Sequence, residues 1–242
     1  MSRSGSDDAA LPGPFMELFG CSGADGLPAL RDLSQQAVAH ALALTLAGAP
    51  GCAPGCAPGC ALTDAPWPVA VDGTAGNGHD TLFLARLAGA RGVVHAFDVQ
   101  PRALARTAER LAEAGLEERV VLHGRGHEEL AAALASHGGW PPRISAAMFN
   151  LGFLPGSDRS VTTRPETTLT ALEALLPMMA PGGLISLHVY AGHPGGEDEA
   201  AALDRRLAAL DWDRWRVARH EFANKPRNPE RLLLVLRLPG PA

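Results

Sequence analysis

The sequence predicts an α/β fold in which helices cover both faces of a mostly parallel β-sheet. Apolar, β-branched runs alternate with helical runs along most of the 242 residues. A glycine-rich turn also joins the first of those strands to the helix that follows it. Because strand–helix–strand units cross over in the right-handed sense, the carboxyl ends of the strands meet at one edge, where ligands bind. The length suits one such domain.

The first 30 residues are rich in Gly, Ser, Ala and Asp and show no sustained period. This composition predicts a disordered or irregular extension before a domain that runs from 31 to 242. No signal-type segment and no apolar run of about 18 residues is present, so we expect a cytoplasmic protein without membrane contact. From Leu30 to Leu46 apolar residues recur at helical spacing and predict a packing helix.

Residues 49–61 contain the tetrapeptide Ala-Pro-Gly-Cys three times. Proline and glycine at this density exclude a helix or a strand. The C-x3-C-x3-C spacing invites an iron–sulfur interpretation, but its last step differs from the C-x3-C-x2-C of radical enzymes. We therefore predict a low-complexity surface loop and no metal site.

The first predicted strand, Val69–Asp72, leads into a G-x-x-G-x-G turn whose last glycine is Gly78. Closely spaced glycines let a ligand approach bare backbone, and the helix that follows offers unpaired N–H groups. A second strand, Gly92–Asp98, ends in an acid roughly 20 residues after Gly78, the distance at which a ribose-binding carboxylate is expected. The two features together predict a nucleoside site, with a spacing unlike that of NAD-binding turns.

A helix at Pro101–Leu111 carries Arg102, Arg106 and Arg110 on one face, which is either a solvated stripe or an RNA contact. The other predicted elements are strands at Arg119–His123, Ile144–Phe149, Leu184–Tyr190, Trp215–Phe222 and Arg231–Arg237, and helices at Thr81–Leu87, Pro165–Ala180 and about Glu197–Leu210.

Six runs resemble the MnmM (YtqB) tRNA methyltransferase family, whose members were formerly labelled rRNA methylases. They are DGTAGNGHDTLFLA, FDVQ, GHEEL, FNLGFLPGSDRSVTT, HVYAGH and NKPRNPERLLLV, in this order between about Arg31 and Leu238. The resemblance implies a Rossmann-like class I methyltransferase fold with a seven-stranded sheet that ends in an antiparallel pair. It also implies S-adenosyl-L-methionine as cofactor and the anticodon region of tRNA as partner, with a homodimer possible. The implied reaction N-methylates the 5-aminomethyl group of wobble 5-aminomethyl-2-thiouridine to 5-methylaminomethyl-2-thiouridine.

The run Asn150-Leu151-Gly152-Phe153 ends the fourth predicted strand and looks like a variant of the motif of amino-directed methyltransferases. A nitrogen nucleophile must point its lone pair along the S–CH3 axis. An amide oxygen and a backbone carbonyl can accept its N–H groups and fix that direction, while an aromatic ring packs against the substrate. The resemblance therefore implies Asn150 and Phe153 as catalytic residues.

The resemblance also assigns the remaining site residues to the cofactor or to the substrate. Those implied for the cofactor are Asp72, Gly76, Asn77, Gly78, Asp80, Asp98, Gln100, Gly126, His127 and Asn150. Those expected at the substrate are Asp158, Thr162, Thr163, Tyr190, His193 and Asn224. No metal is required, because the sulfonium already activates the methyl group. The proton acceptor stays open among Asp158, His193 and water.

Charge places a limit on any RNA contact. The chain has 21 basic and 26 acidic side chains, so its mean field does not attract nucleic acid. A local patch is needed, and the best candidate is the loop 224–229 with Arg214, Arg216, Arg219 and Arg231. The alternatives are a methyltransferase acting on rRNA or on a small-molecule amine, a non-catalytic S-adenosylmethionine- or RNA-binding protein, and a radical enzyme.

Overall fold

The computed structural model describes residues 29–47, 68–136, 143–154, 156, 161–225 and 229–239. Three predictions lie largely or wholly outside these residues. They are the irregular N-terminal extension, the Ala-Pro-Gly-Cys loop and the substrate contact of Asp158. Within the described part of the chain, no helix is long and apolar enough to cross a membrane.

Seven strands in the described ranges form one sheet, as the sequence predicts. They are β1 Val69–Asp72, β2 Val93–Phe97, β3 Val120–His123, β4 Ile144–Leu151, β5 Met179–Tyr190, β6 Trp215–Glu221 and β7 Glu230–Arg237. Their order in the sheet is β3-β2-β1-β4-β5-β7-β6. The first five are parallel, and β7 runs antiparallel to both β5 and β6. The mostly parallel sheet with a terminal antiparallel pair is confirmed.

Helices cover the two faces of the sheet, six of them within the residues that the structure describes. They are α1 Leu30–Ala47, α2 His79–Ala88, α3 Pro101–Glu113, α4 Leu130–Ala135, α5 Pro165–Met178 and α6 Gly196–Ala208. Buried residues of α1, α2 and α3 pack with one face, and those of α4, α5 and α6 pack with the other. Each face therefore has its own apolar core, and the strand ends between the two cores stay available for a site.

The predicted end of α5 is wrong by two residues, and the predicted start of β5, Leu184, is wrong by five. We expected the helix to reach Ala180, but it ends at Met178, and Met179 already pairs with Ile144. The register then shifts, so that Ala146 pairs with Leu184. The intervening Pro-Gly-Gly forms an irregularity inside the strand instead of a loop before it. The short helix α4 is also absent from the prediction.

Candidate active site

The glycine turn between β1 and α2 is closed by the carboxylate of Asp98 just beyond β2. Its Oδ2 accepts the N–H of Gly76 at 2.9 Å, and its Oδ1 accepts the N–H of Gln100 at 2.9 Å. Gly76 and Gly78 have φ of 53° and 78°, a left-handed conformation that residues with side chains rarely adopt. Four residues predicted at the cofactor site therefore do come together.

Asp72, the last residue of β1, lies fully buried beneath this turn. Its Oδ1 accepts the N–H of Thr74 at 3.1 Å, and its Oδ2 accepts the hydroxyl of Thr81 at 2.6 Å. Burial raises the pKa of Asp72 to about 7, and the nearby charge of Asp80 acts in the same direction. Asp72 and Asp80 thus lie close enough that ionising both carboxyls at once is disfavoured.

Asp80 holds the side chain of Asn150 in a defined orientation. Asn150 Nδ2 donates to Asp80 Oδ2 at 2.7 Å, and Gln35 Nε2 donates to Asp80 Oδ1 at 2.9 Å. The backbone N–H of Asn150 also donates to the hydroxyl of Thr74 at 2.7 Å. Because a carboxylate only accepts, the amide nitrogen of Asn150 must face Asp80, which leaves Oδ1 as an acceptor. Helix α1 thus contributes Gln35, a residue that the sequence analysis missed.

Asn77 is fixed from the side of helix α3. Its Oδ1 accepts from Arg106 at 2.9 Å, and its carbonyl oxygen accepts from Arg110 Nε at 2.8 Å. The interpretation of these arginines as a solvated stripe is therefore wrong for Arg106 and Arg110, which brace the glycine turn. Arg102, one turn earlier on α3, is exposed.

His127 supports the turn from the opposite face of the sheet. Its Nδ1 donates to the carbonyl oxygen of Gly73 at 3.1 Å, and its ring meets Phe149 edge-on at 5.6 Å between centroids. Burial lowers the pKa of His127, which favours the neutral ring. Thr168 lies 3.5 Å from its Nε2 and donates to Glu199 at 2.5 Å.

Glu199 is a second residue that the sequence analysis missed. It is fully buried in the first turn of α6, and its Oε2 accepts the hydroxyl of Thr163 at 2.7 Å. The predicted substrate contact of Thr163 stays a prediction, because its hydroxyl is engaged here. A Cβ added to Gly126 would lie 2.1 Å from Glu128 Oε2, the end of a flexible side chain that can move aside.

The segment after β4 meets the end of β5 at the same edge. Phe153 forms an isolated bridge with Thr162. The ring of His193 meets Phe153 edge-on at 6.1 Å. A Cβ built on Gly152 would lie 3.4 Å from the Cβ of Tyr190, so the two segments are in contact. Four residues expected at the substrate or in catalysis are thus brought together.

Tyr190 continues this aromatic wall. It stacks on His188 with centroids 4.3 Å apart, and its hydroxyl lies 3.3 Å from His188 Nδ1. His188 Nε2 in turn lies 3.0 Å from Glu230 Oε2. Burial raises the pKa of Tyr190 to about 12, so it stays protonated. Asn224 lies in the turn after β6, next to Lys225, which pairs with Glu230.

The predicted basic patch is divided by the course of β6. Arg219 and Arg231 form ion pairs with Asp204 and Glu221. Arg214 and Arg216 lie at the other end of the strand, because Trp215 pairs with Arg237 and Glu221 with Arg231. The four arginines therefore do not form one surface. Among the described residues, no group of three or more His, Cys, Asp or Glu side chains could hold a metal ion.

Known proteins share this sequence pattern. A family model described as "Putative rRNA methylase" matches residues 94–236, more than half of the chain. The tRNA (mnm(5)s(2)U34)-methyltransferase, chloroplastic, of Arabidopsis thaliana is 34% identical over 175 residues, which cover 69% of this chain and 62% of that protein. The chain thus spans less than two thirds of the length of this curated relative.

Two solved structures are similar over most of their length. A protein of Clostridium thermocellum, titled a putative rRNA-methylase, is 35% identical with a TM-score of 0.66, over 72% of this chain and 90% of that one. A protein of Streptococcus mutans, titled a putative methyltransferase in complex with SAH, is 30% identical with a TM-score of 0.69. That match covers 88% of this chain and 99% of the other.

Proposed function

This chain belongs to the rRNA methylase family, and from that membership we propose that it is a class I methyltransferase acting on tRNA. It N-methylates the 5-aminomethyl group of 5-aminomethyl-2-thiouridine at the wobble position, with S-adenosyl-L-methionine as the methyl donor. The observation that carries the proposal is the Asn150 amide, fixed beside the glycine turn with its oxygen free to accept. The name of the Arabidopsis relative supports this acceptor, and the SAH of the Streptococcus structure supports this donor.

The sheet edge formed by the carboxyl ends of the parallel strands has the polar groups that S-adenosylmethionine requires. Each oxygen of Asp98 accepts one backbone N–H and retains a lone pair for a ribose hydroxyl. The buried acid Asp80 complements the net positive charge of the cofactor. His127, next to Gly126, borders the adenine. The cofactor supplies a methyl group that its sulfonium already activates, so no metal takes part.

Asn150 aligns the amine of the substrate. Its Oδ1 and a neighbouring backbone carbonyl accept the N–H groups, which directs the nitrogen lone pair along the S–CH3 axis. Phe153 and Tyr190 pack against the flat base. Alignment of two reactants in this way accounts for a large part of the rate in reactions without covalent catalysis.

The proposal extends to the RNA partner, the bounds of the domain and the oligomeric state. The anticodon region of a cytoplasmic tRNA binds at the carboxyl ends of the strands, and the methyltransferase domain comprises residues 31–242. A homodimer is also part of the proposal. Light scattering of the purified chain at several concentrations measures the mass in solution, and a monomer at every concentration removes the dimer from the proposal.

The experiment that tests the function is mass analysis of tRNA nucleosides. The substrate is tRNA that carries 5-aminomethyl-2-thiouridine, incubated with the purified protein and S-adenosylmethionine. We expect this nucleoside to gain one methyl group on its side-chain nitrogen. If calorimetry shows cofactor binding while the nucleoside is unchanged, the acceptor is wrong. Tritium transfer to rRNA or to small amines then identifies the class of acceptor.

A further inference from the structure

One ring nitrogen of His193 forms a hydrogen bond, and the other has no partner among the described residues. Its Nδ1 lies 3.0 Å from the carbonyl oxygen of Pro194. A carbonyl only accepts, so Nδ1 carries the proton and the neutral ring presents a lone pair at Nε2. That nitrogen is buried and has no hydrogen-bond partner among the described residues. A buried acceptor without a partner is unfavourable, and such atoms point to a ligand or a catalytic role.

The unmatched nitrogen lies against the residues that follow Asn150. A Cβ built on Gly152 would be 3.6 Å from His193 Nε2. The Phe153 ring meets the imidazole edge-on, and Phe153 itself is bridged to Thr162. Within the described ranges, Thr162 Oγ1 is the second buried polar side-chain atom without a partner. Both unmatched atoms therefore lie beside the segment that follows Asn150, the residue proposed to align the substrate amine.

Among the described residues, the acids around the glycine turn and in α6 already hold structural hydrogen bonds on their oxygens, whereas His193 Nε2 holds none. Asp158, the other side-chain candidate, lies outside the described residues. Both oxygens of Asp80 already accept, from Gln35 and from Asn150 itself. Asp72 is fully buried below the turn, with both oxygens engaged. Glu199 accepts from two threonines on the far side of the loop.

We propose that Nε2 of His193 is the base that removes a proton from the substrate ammonium before methyl transfer. The proposal rests on the proposed function, because it needs an amine as the acceptor. An alkylammonium is protonated at neutral pH and has no lone pair. One proton moves from that nitrogen to Nε2, and the freed lone pair then forms the N–C bond. The C–S bond breaks with its electron pair going to sulfur. The product leaves as a secondary ammonium, and the imidazolium returns its proton to water.

The test compares His193→Gln with the wild type and with His220→Gln, an exposed histidine on β6. The readout is kcat at saturating tRNA and cofactor as a function of pH. At neutral pH we expect kcat of His193→Gln to fall about 100-fold. The ratio of wild-type kcat to the kcat of His193→Gln should fall about tenfold for each unit of pH rise, because a larger fraction of the amine then loses its proton to solvent. Cofactor Kd, tRNA KM and Tm should stay close to wild type.

The titratable groups of neighbouring residues enter the interpretation of this profile. They are Tyr190, which stacks on His188, and Glu230, which pairs with His188. Tyr190→Phe and Glu230→Gln, each combined with His193→Gln, show whether the slope with pH belongs to the amine. If the dependence of kcat on pH disappears in either double variant, the assignment of His193 as the base is overturned.

Three further outcomes separate this proposal from the proposed function. A wild-type protein that does not methylate the aminomethyl nucleoside overturns both. A His193→Gln variant with wild-type kcat at every pH, or with an equal deficit at every pH, overturns only the role of His193. If His193→Gln does not fold, His193→Asn is measured in the same way. Imidazole added to His193→Gly should also restore turnover, and failure to do so counts against the base.

Discussion

Backbone N–H groups occupy one lone pair on each oxygen of Asp98, so this single residue sets the shape of the glycine turn. Its position could be predicted from the distance to Gly78 alone, since the turn and the next strand fix where the acid must lie. Gln35 and Glu199 could not be found in the same way. Polar residues on amphipathic helices are usually solvated, and only the packed structure shows that these two enter the site.

Replacing Asp98 with Asn should weaken cofactor binding by about tenfold or more. The amide has one accepting oxygen where the carboxylate has two, and charge-assisted hydrogen bonds contribute about 1.5–3 kcal/mol each. Calorimetric titration with S-adenosylmethionine measures the change. The exposed Glu118→Gln is the matched control, and an unchanged Kd for Asp98→Asn would remove this residue from the cofactor site.

Replacing Asn150 with Ala should abolish turnover and leave the cofactor Kd within about threefold of wild type. The alanine removes the oxygen that aligns the amine, an effect of about 100-fold or more in kcat, while the glycine turn keeps its own hydrogen bonds. Methylation of tRNA and calorimetry on the same preparation separate the two quantities. Weaker cofactor binding with normal kcat would contradict the assigned role.

At the scale of elements, α2 and α3 approach each other through Gly78. A Cβ at this position would lie 2.8 Å from the Cα of Thr107, and the backbone has φ of 78°. A backbone atom cannot move aside as a flexible side chain can. The close contact brings Arg106 and Arg110 within reach of Asn77, so the glycine that the sequence marks for a ligand also sets the packing of two helices.

We therefore expect Gly78→Ala to lower the free energy of unfolding by about 2–4 kcal/mol, the sum of a left-handed backbone and an overpacked contact. The matched variant is Gly195→Ala, where φ of 84° and ψ of -11° are close to the 78° and 13° of Gly78, and nothing lies within 4 Å of the added Cβ. It should lose only about 1–2 kcal/mol. Urea titrations measure the free energy of unfolding of both variants, provided that their m-values equal that of the wild type. Equal losses of stability in the two variants would show that the contact with Thr107 is unimportant.

The boundary between α5 and β5 shows where sequence periodicity stops being informative. The apolar residues before Pro181 fit the pattern of a helix as well as that of a buried strand. These residues are expected to be buried in either element, so burial does not decide between the two. Pairing of Met179 with Ile144 decides in favour of the strand. A Cβ added to Gly183 would lie 2.9 Å from the backbone oxygens of both Ala180 and Ile144, so tertiary packing and not local propensity fixes this segment.

For the whole molecule, the ionisation of Asp72 links stability to pH. Its pKa is raised from 3.8 to about 7 in the folded protein. The folded state therefore holds a proton that the unfolded state has lost between these two values. On this account the free energy of unfolding falls as pH rises from about 4 to about 7 and levels off above, by up to about 4 kcal/mol.

Asp72→Asn should remove this dependence. Relative to wild type, the variant should gain stability as pH rises from about 4 to about 7, because it carries no buried charge. The measurement is the difference in unfolding free energy between the two proteins at several pH values. Asp213→Asn, at an exposed position, is the control and should show a constant difference. A constant difference for Asp72→Asn would show that this carboxyl is already ionised in the folded state.

The sheet order has a consequence for synthesis on the ribosome. Strand β6 precedes β7 in the chain, yet its neighbour in the sheet is β7, which also separates it from β5. A nascent chain that has emerged only as far as Glu221 thus exposes one edge of β5 and an unpaired β6. Such edges are prone to wrong pairing. The interval between the emergence of Glu221 and the emergence of Arg237 is when this protein should depend most on a chaperone.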